Sequence, residues 1–385
     1  MERYHGPAIV IPGFLLFVTL AAGEAGNEEI AGPPWSPQAA ANYLDGRAEW
    51  WLKWSGAARG QGTACASCHT STPIALALPA LGKQLGETAS GVIETGLIDN
   101  FKKRVENWEK IEAGSESGKE PFRAFYSDKE LESLGTESVL NALILVNHDV
   151  RRAKGVLSAV TRKALGNLWE QQQENGAWLW LDFGLNPWEK DGEYYGAALA
   201  AVAVGSAGKS YYEQAELQSK LSALKGYLKT QYVSQPLHHR VLELWAACKL
   251  PGVLTDEDKQ KLIEELLNIQ EADGGWSLPA LGRNRSRGSL LSMLNANKWK
   301  SHGVYPTGVV SDGYATGLVV LVLKAAGVAA DNPKLQKAIR WLVANQKEGA
   351  WPANYLNKQR DPRENRGKFM RDAATAFAIM ALTEP

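Results

Sequence analysis

The chain has no net charge, because its 42 lysine and arginine residues equal its 42 aspartate and glutamate residues. A balance of this kind gives no electrostatic reason to bind nucleic acid or an anionic membrane surface. The 385 residues also lack a Pro/Ser-rich linker or a sustained block of charge that would separate domains. We therefore expect no nucleic-acid partner and a single domain over residues 26–385.

Cysteine is scarce, with three residues in the chain, and two of these lie in Cys65-Ala66-Ser67-Cys68-His69. A zinc site would need a second ligand pair at matching spacing, and Cys248 stands alone. A disulfide or a thioredoxin-like pair between Cys65 and Cys68 is another interpretation. The adjacent His69 and the lack of a βαβ pattern speak against it.

Two thiols followed directly by an imidazole at this spacing are typical of the attachment site of a covalent c-type haem. Cys65 and Cys68 would each bond one edge of the porphyrin, and His69 would reach the iron as the proximal ligand. The motif thus predicts one covalently bound haem c and a redox-active iron.

The N-terminal apolar run covers residues 8–22, which is too short to cross about 30 Å of hydrocarbon comfortably. It leads into the small residues Ala21-Ala22-Gly23-Glu24-Ala25, a sequence suited to cleavage. We expect residues 1–25 to be a signal peptide and the protein to be exported to the periplasm, outside the cytoplasm, where c-type haem is attached. Because Glu2 offsets Arg3, an uncleaved anchor at 8–22 with membrane contact is the alternative.

A repeat marked by glutamine, glycine and tryptophan recurs in the later part of the chain. Residues 172–178 and 270–276 fit Gln-x-x-Asx-Gly-x-Trp, and residues 346–351 form a version one residue shorter. Each copy follows an amphipathic helical pattern and precedes a segment that is apolar on nearly all sides. A helix without a polar stripe must be enclosed, so we predict inner helices surrounded by an outer ring of amphipathic ones.

The pattern predicts six such pairs, which are expected to stack and close into a ring. The inner helices are expected to begin near six residues: His69, Thr136, Asp191, His239, Asp312 and Asp372. The outer helices are expected over six ranges: 38–54, 97–112, 154–174, 213–233, 255–271 and 333–347.

These repeats and helix pairs resemble the α/α toroid of squalene-hopene cyclases and related terpene cyclases and prenyltransferases, over roughly residues 130–385. The resemblance implies an all-α fold, an (α/α)6 toroid, in which each repeat glutamine packs on its tryptophan and ties neighbouring outer helices. It does not transfer the activity. The chain lacks the Asp-x-Asp-Asp cluster with which those cyclases protonate an alkene, and the segment after Asp312 lacks the cysteine of the zinc-binding prenyltransferases.

Three aspartates, Asp191, Asp312 and Asp372, fall at equivalent predicted positions at the start of inner helices. Each is predicted to be a helix N-cap, and a catalytic role is the alternative. Parallel inner helices would bring their positive N-terminal ends to one mouth of the ring, which would suit anions such as haem propionates. Because His69 also precedes an inner helix, we expect the haem to roof the central cavity at this mouth.

Four residues are candidates for the sixth iron ligand. His239 is the first choice by location, and the others are His238, His302 and Met370. The leading functional hypothesis is an exported monohaem c-type cytochrome that transfers electrons, with a redox partner protein or a small apolar ligand. The alternatives are a terpene-cyclase-like lyase or isomerase and an isoprenoid-binding toroid without catalysis.

Overall fold

The computed structural model describes residues 35–113, 122–123, 126, 128–282, 311–354, 357–358 and 360–384. Its described residues form α-helices, short 3₁₀ turns and loops, and none of them lies in a β-strand. The predicted signal peptide at 1–25 and the candidate ligand His302 lie outside these residues. Within them, no helix combines the length and the apolar character that crossing a membrane requires.

The helices follow one another along the chain in this order: α1 (Pro37–Lys53), α2 (Ser71–Gln84), α3 (Val92–Glu106), α4 (Trp108–Glu112), α5 (Glu130–Arg152), α6 (Ala159–Glu170), α7 (Glu193–Ser206), α8 (Lys209–Tyr212), α9 (Gln218–Gln231), α10 (Leu237–Ala247), α11 (Asp256–Asn268), α12 (Leu278–Leu281), α13 (Gly313–Ala325), α14 (Pro333–Ala344) and α15 (Phe369–Thr383). Short 3₁₀ turns lie at Ala215–Leu217, Tyr232–Ser234 and Asn365–Lys368.

Six of these helices pack side by side in a closed cycle, α2 on α5, then α7, α10, α13, α15 and back to α2. They are buried along most of their length; in α7, for example, every residue from Tyr194 to Gly205 is buried. The amphipathic helices α1, α3, α6, α9, α11 and α14 pack on the outside of this cycle. Enclosure of the apolar helices by the amphipathic ones removes their side chains from water, which is the main stabilising contribution. The all-α prediction is confirmed.

The inner helices begin within six residues of the predicted positions. The largest difference is at α5, which starts at Glu130 rather than near Thr136. Its first turn carries Glu130 and Glu132, which suit the positive end of the helix dipole but interrupt the apolar pattern on which the prediction relied. The second outer helix also ends earlier than predicted, because Asn107 interrupts it between α3 and α4.

Each repeat glutamine links its turn to the backbone at the start of the next outer helix. The bonds run from Gln172 Nε2 to Lys220 O (3.0 Å), from Gln270 Nε2 to Lys334 O (2.7 Å) and from Gln346 Nε2 to Ser36 O (3.0 Å). Ser36 is the N-cap of α1, so the third bond joins the last outer helix to the first. The glutamines therefore tie neighbouring outer helices, as the resemblance implies.

The repeat tryptophans are fully buried and each donates its indole N–H to a carbonyl of the outer helix before it. The pairs are Trp178 with Leu168 (2.7 Å), Trp276 with Leu266 (2.8 Å) and Trp351 with Leu342 (2.7 Å). Gly176, between the glutamine and the tryptophan of its repeat, cannot be replaced for two reasons. Its φ is 92°, which favours glycine, and a Cβ would overlap the carbonyl oxygen of Ala223 on α9. The turn thus brings two outer helices close together.

Candidate functional site

The Cys65–His69 motif lies in the loop between α1 and α2, and hydrogen bonds hold this loop in one conformation. Cys65 N donates to Ala57 O at 2.9 Å, and Arg59 N donates to Thr63 O at 2.7 Å. The indole N–H of Trp51, on α1, donates to Cys65 O at 2.9 Å. The backbone around the first cysteine is therefore fixed by its own loop and by the preceding helix.

Helix α3 supplies a second set of supports. The Asn100 side chain accepts from Ala64 N at 2.7 Å and donates to Ala64 O at 2.9 Å, which satisfies both backbone groups of the residue before Cys65. Arg104 donates to Thr63 Oγ1 at 3.0 Å and forms a fully buried ion pair with Glu137 of α5. Arg104 and Glu137 thus join the motif loop to the outer helix α3 and the inner helix α5.

Ser67, one of the two residues between the cysteines, caps the helix that follows the motif. Its hydroxyl accepts from Thr70 N at 3.2 Å and Ser71 N at 3.0 Å, and Ser71 Oγ in turn accepts from Ser67 N at 2.9 Å. These reciprocal bonds satisfy donors that the first turn of a helix otherwise leaves without partners. As a result, His69 is held at the start of α2 by the intervening sequence of the motif itself.

Cys65 and Cys68 are both free thiols and are buried, with exposed fractions of 5% and 7%. Burial raises the pKa of each, and that of Cys68 well above its ordinary value. Both are therefore present as neutral thiols at neutral pH. The third thiol, Cys248, is partly exposed at the end of α10 and donates to Leu244 O at 3.1 Å.

The His69 imidazole is enclosed by aromatic rings. It stacks on Phe369, with 4.0 Å between ring centroids and 18° between the planes, and it meets the Trp51 ring edge-on at 5.5 Å. Burial, with Arg360 and Arg47 nearby, lowers the pKa of His69 to about 3. The ring is thus neutral at physiological pH, which is the form that binds a metal.

One hydrogen-bond chain determines which nitrogen of His69 carries the proton. Thr70 Oγ1 donates its only proton to Asp372 Oδ2 at 2.9 Å, and His69 Nδ1 lies 2.9 Å from the same hydroxyl oxygen. The hydroxyl therefore accepts from Nδ1–H, and the lone pair is on Nε2. No described residue forms a hydrogen bond with Nε2.

Asp372 is not an N-cap, in contrast to the prediction. It is the fourth residue of α15, and its buried carboxylate forms a two-point ion pair with Arg47, at 2.7 and 2.8 Å. Tyr43 donates a further bond at 2.8 Å. Asp372 thus connects α1 to the hydroxyl of Thr70 and orients His69 indirectly, a role that requires a tertiary contact and so leaves no pattern in the local sequence.

Asp312 is an N-cap, as predicted, and it also accepts a bond from another loop. Its carboxylate accepts from Ala315 N at 2.8 Å and from Leu278 N at 2.7 Å. Burial raises the pKa of Asp312 to about 7, although these backbone bonds act in the opposite direction. Both oxygens are committed to backbone donors, which favours a structural role.

Replacement of Asp312 by alanine is expected to lower the free energy of unfolding by about 2–4 kcal/mol, because two buried N–H groups lose their acceptor. Asp312→Asn should lose less, since its carbonyl oxygen still accepts from Ala315 N. Urea denaturation of the two variants measures this order, with Asp191→Asn as the control that leaves stability unchanged. Equal stability of Asp312→Ala and the parent protein would contradict the capping role.

The N-cap prediction for Asp191 is wrong. Its side chain is exposed and its φ is 50°, and the residue at the N-cap position of α7 is Gly192. Asp191 itself adopts this left-handed conformation, and the next residue takes the N-cap position instead. No hydrogen bond or ion pair joins Asp191, Asp312 or Asp372 to one another.

The space beside His69 toward the centre of the ring contains Trp188, from the loop between α6 and α7. This side chain is fully buried, 6.1 Å from the His69 ring and 5.4 Å from Tyr314 on α13. Trp188 thus lies between His69 and Tyr314 at the end of the ring where the haem is expected.

Of the sixth-ligand candidates, His239 has both ring nitrogens engaged, at 3.1 Å from Gln235 Oε1 and 3.2 Å from Pro187 O. His238 Nε2 lies 2.8 Å from the hydroxyl of Tyr314. Met370 is buried beside Phe369 in the first turn of α15. To bind an iron, His239 would have to give up one of its two hydrogen bonds.

The residues around His69 fit the two chemical demands of a haem, an axial nitrogen and a partner for propionates. The Arg360 guanidinium lies 5.0 Å from the ring centroid of Phe369, which stacks on His69. It forms no ion pair with a described residue, and burial lowers its pKa. Near it, burial raises the pKa of Glu189 to about 7, so that this carboxyl only partly neutralises the cation. A propionate would complete the charge balance.

No three His, Cys, Asp or Glu side chains in the described ranges converge on a position where they could hold a metal ion. A haem iron takes only its axial ligands from the protein, so one histidine suffices. No known protein family matches the chain, and no curated protein matches it either.

Proposed function

We propose that this protein is an exported monohaem c-type cytochrome that transfers electrons to or from a redox partner protein. Cys65 and Cys68 carry the haem, and His69 binds its iron. The observation that supports this most strongly is the arrangement at His69, where Thr70 and Asp372 fix the proton on Nδ1 and leave Nε2 without a described partner. A histidine held in this way is typical of a metal ligand.

Attachment consumes the two thiols that the loop presents. Cys65 and Cys68 would hold the haem through two thioether bonds, each formed by addition of one S–H bond across a vinyl group of the porphyrin. The supports of the loop, Asn100 and Ser67 above all, keep the intervening backbone from moving when the bonds form. When bound, the haem supplies a one-electron couple at its iron.

The surrounding side chains adjust that couple. The Nδ1–H bond to Thr70, backed by the Asp372 carboxylate, makes the imidazole a stronger electron donor and favours the oxidised iron. The stacked ring of Phe369 and the edge of Trp51 exclude water and favour the less charged, reduced form. Arg360 is the residue that would bind a propionate.

Cysteine variants test the proposal. Produced together with the c-type maturation machinery, Cys65→Ala/Cys68→Ala is expected to lose all covalent haem, and each single variant should retain one thioether and show a shifted visible band in alkaline pyridine. Cys248→Ala, which removes the thiol outside the motif, is the matched control and should equal the parent protein. Haem that is extracted from the parent protein by acidified organic solvent would overturn the proposal.

A further inference from the structure

A line of buried side chains leads from His69 into the ring. Trp188 lies 6.1 Å from the imidazole of His69 and 5.4 Å from the ring of Tyr314, between ring centroids. The Trp188 indole N–H donates to the Tyr314 hydroxyl at 2.9 Å, and that hydroxyl lies 2.8 Å from His238 Nε2. Trp188, Tyr314 and His238 are each fully buried.

The proton positions in this line follow from the donor inventory. An indole N–H only donates, so the Tyr314 oxygen accepts from Trp188. The phenol proton then goes to His238 Nε2, the acceptor on its other side, and His238 carries its own proton on Nδ1. Tyr314 is thus a phenol already hydrogen-bonded to a neutral base, at a distance suited to proton transfer.

This arrangement matters for oxidation. A phenol that loses an electron becomes a strong acid, so a buried tyrosine is oxidised readily only where a base takes its proton. Tyr195 provides the internal comparison. Its ring stacks on the same imidazole at 5.9 Å, but its hydroxyl has no hydrogen bond to a described residue.

We propose that Tyr314 is a one-electron redox site of the haem-loaded protein, with His238 as its proton acceptor and Trp188 as its contact toward His69. The inference rests on the proposed function, because it needs an electron acceptor bound at His69. It adds a side chain that supplies an electron when a peroxide is reduced there.

The electrons and protons balance with hydrogen peroxide as the oxidant and a ferrous haem. The Tyr314 O–H bond breaks, the proton moves to His238 Nε2, and the electron leaves toward His69 past Trp188. One peroxide takes two electrons, one from Tyr314 and one from the iron as it becomes ferric. Two protons from solvent complete the two waters that are formed.

The test is electron paramagnetic resonance of the ferrous haem-loaded protein, frozen soon after mixing with hydrogen peroxide. The parent protein is expected to show a phenoxyl radical that decreases at least tenfold in Tyr314→Phe and in His238→Gln. Tyr195→Phe, which removes the hydroxyl of another buried tyrosine beside the same imidazole, should retain it. His238→Gln keeps the Tyr314 phenol, so it tests the proposal even where Tyr314→Phe does not fold.

An unchanged radical in Tyr314→Phe or His238→Gln overturns the inference and leaves the proposed function intact, provided that the pyridine spectrum shows covalent haem. A parent protein without covalent haem overturns both. A radical that disappears equally in Tyr195→Phe would also contradict the assignment to Tyr314.

Discussion

Replacement of Glu137 by leucine is expected to lower the free energy of unfolding by roughly 3–5 kcal/mol, because it leaves the Arg104 guanidinium buried without a counter-charge. Both side chains are fully shielded from solvent. Arg104 also bonds Thr63 Oγ1 and Arg123 O, so its displacement would loosen the loop before Cys65. Chemical denaturation monitored by far-ultraviolet circular dichroism measures the loss.

The double variant Arg104→Met/Glu137→Leu is the control, since removal of both charges leaves none uncompensated. It should recover most of the lost stability. Glu174→Leu, at an exposed position in a turn, should change stability by less than about 0.5 kcal/mol. A loss below about 1 kcal/mol in Glu137→Leu would show that this pair does not support the loop.

Replacement of Glu243 by glutamine is expected to stabilise the protein at alkaline pH by roughly 4–5 kcal/mol. Glu243 is fully buried on α10, and burial raises its pKa to about 8. The Tyr194 hydrogen bond and Arg240 act to lower the pKa, and Asp258 acts to raise it further, but burial is the largest effect. The folded state therefore binds a proton that the unfolded chain releases at lower pH.

The direction of the effect follows from this difference. The stability that the protonated carboxyl contributes is complete below about pH 4.5 and is lost as the pH rises to about 8. Glutamine cannot ionise, so the difference between variant and parent should grow across that range and become constant above it. Thermal or urea unfolding at several pH values measures it. A flat difference for Glu243→Gln would contradict the buried ionisation.

The helical pairs could be predicted from the sequence because each depends on local periodicity. The glutamine links were also expected, because the resemblance to the cyclase toroid implies that Gln172 and its counterparts tie neighbouring outer helices. The start of α5 was misplaced because Glu130 and Glu132 stabilise a helix end without contributing an apolar face. Asp191 is not the N-cap because its own backbone is left-handed and Gly192 takes that position. The sequence does not reveal this conformation.

The supports of the motif loop were missed because they come from distant parts of the chain. Asp372 reaches Thr70 across 302 positions, and no local pattern encodes such a contact. Asn100 and Arg104, in contrast, are visible in the sequence pattern of α3. They interrupt the buried face of α3, which also carries Leu97, Phe101 and Val105. Polar residues within an apolar stripe are expected to have buried partners, and here those partners are Ala64 and Glu137.

The intact mass of the mature protein tests the central claim most directly. After production with the c-type maturation machinery and denaturation in acid, the account predicts a polypeptide heavier than its amino acids by one haem, with the added mass on the peptide that contains Cys65 and Cys68. A mass equal to that of the polypeptide alone, in a host that matures a control c-type cytochrome, would contradict it.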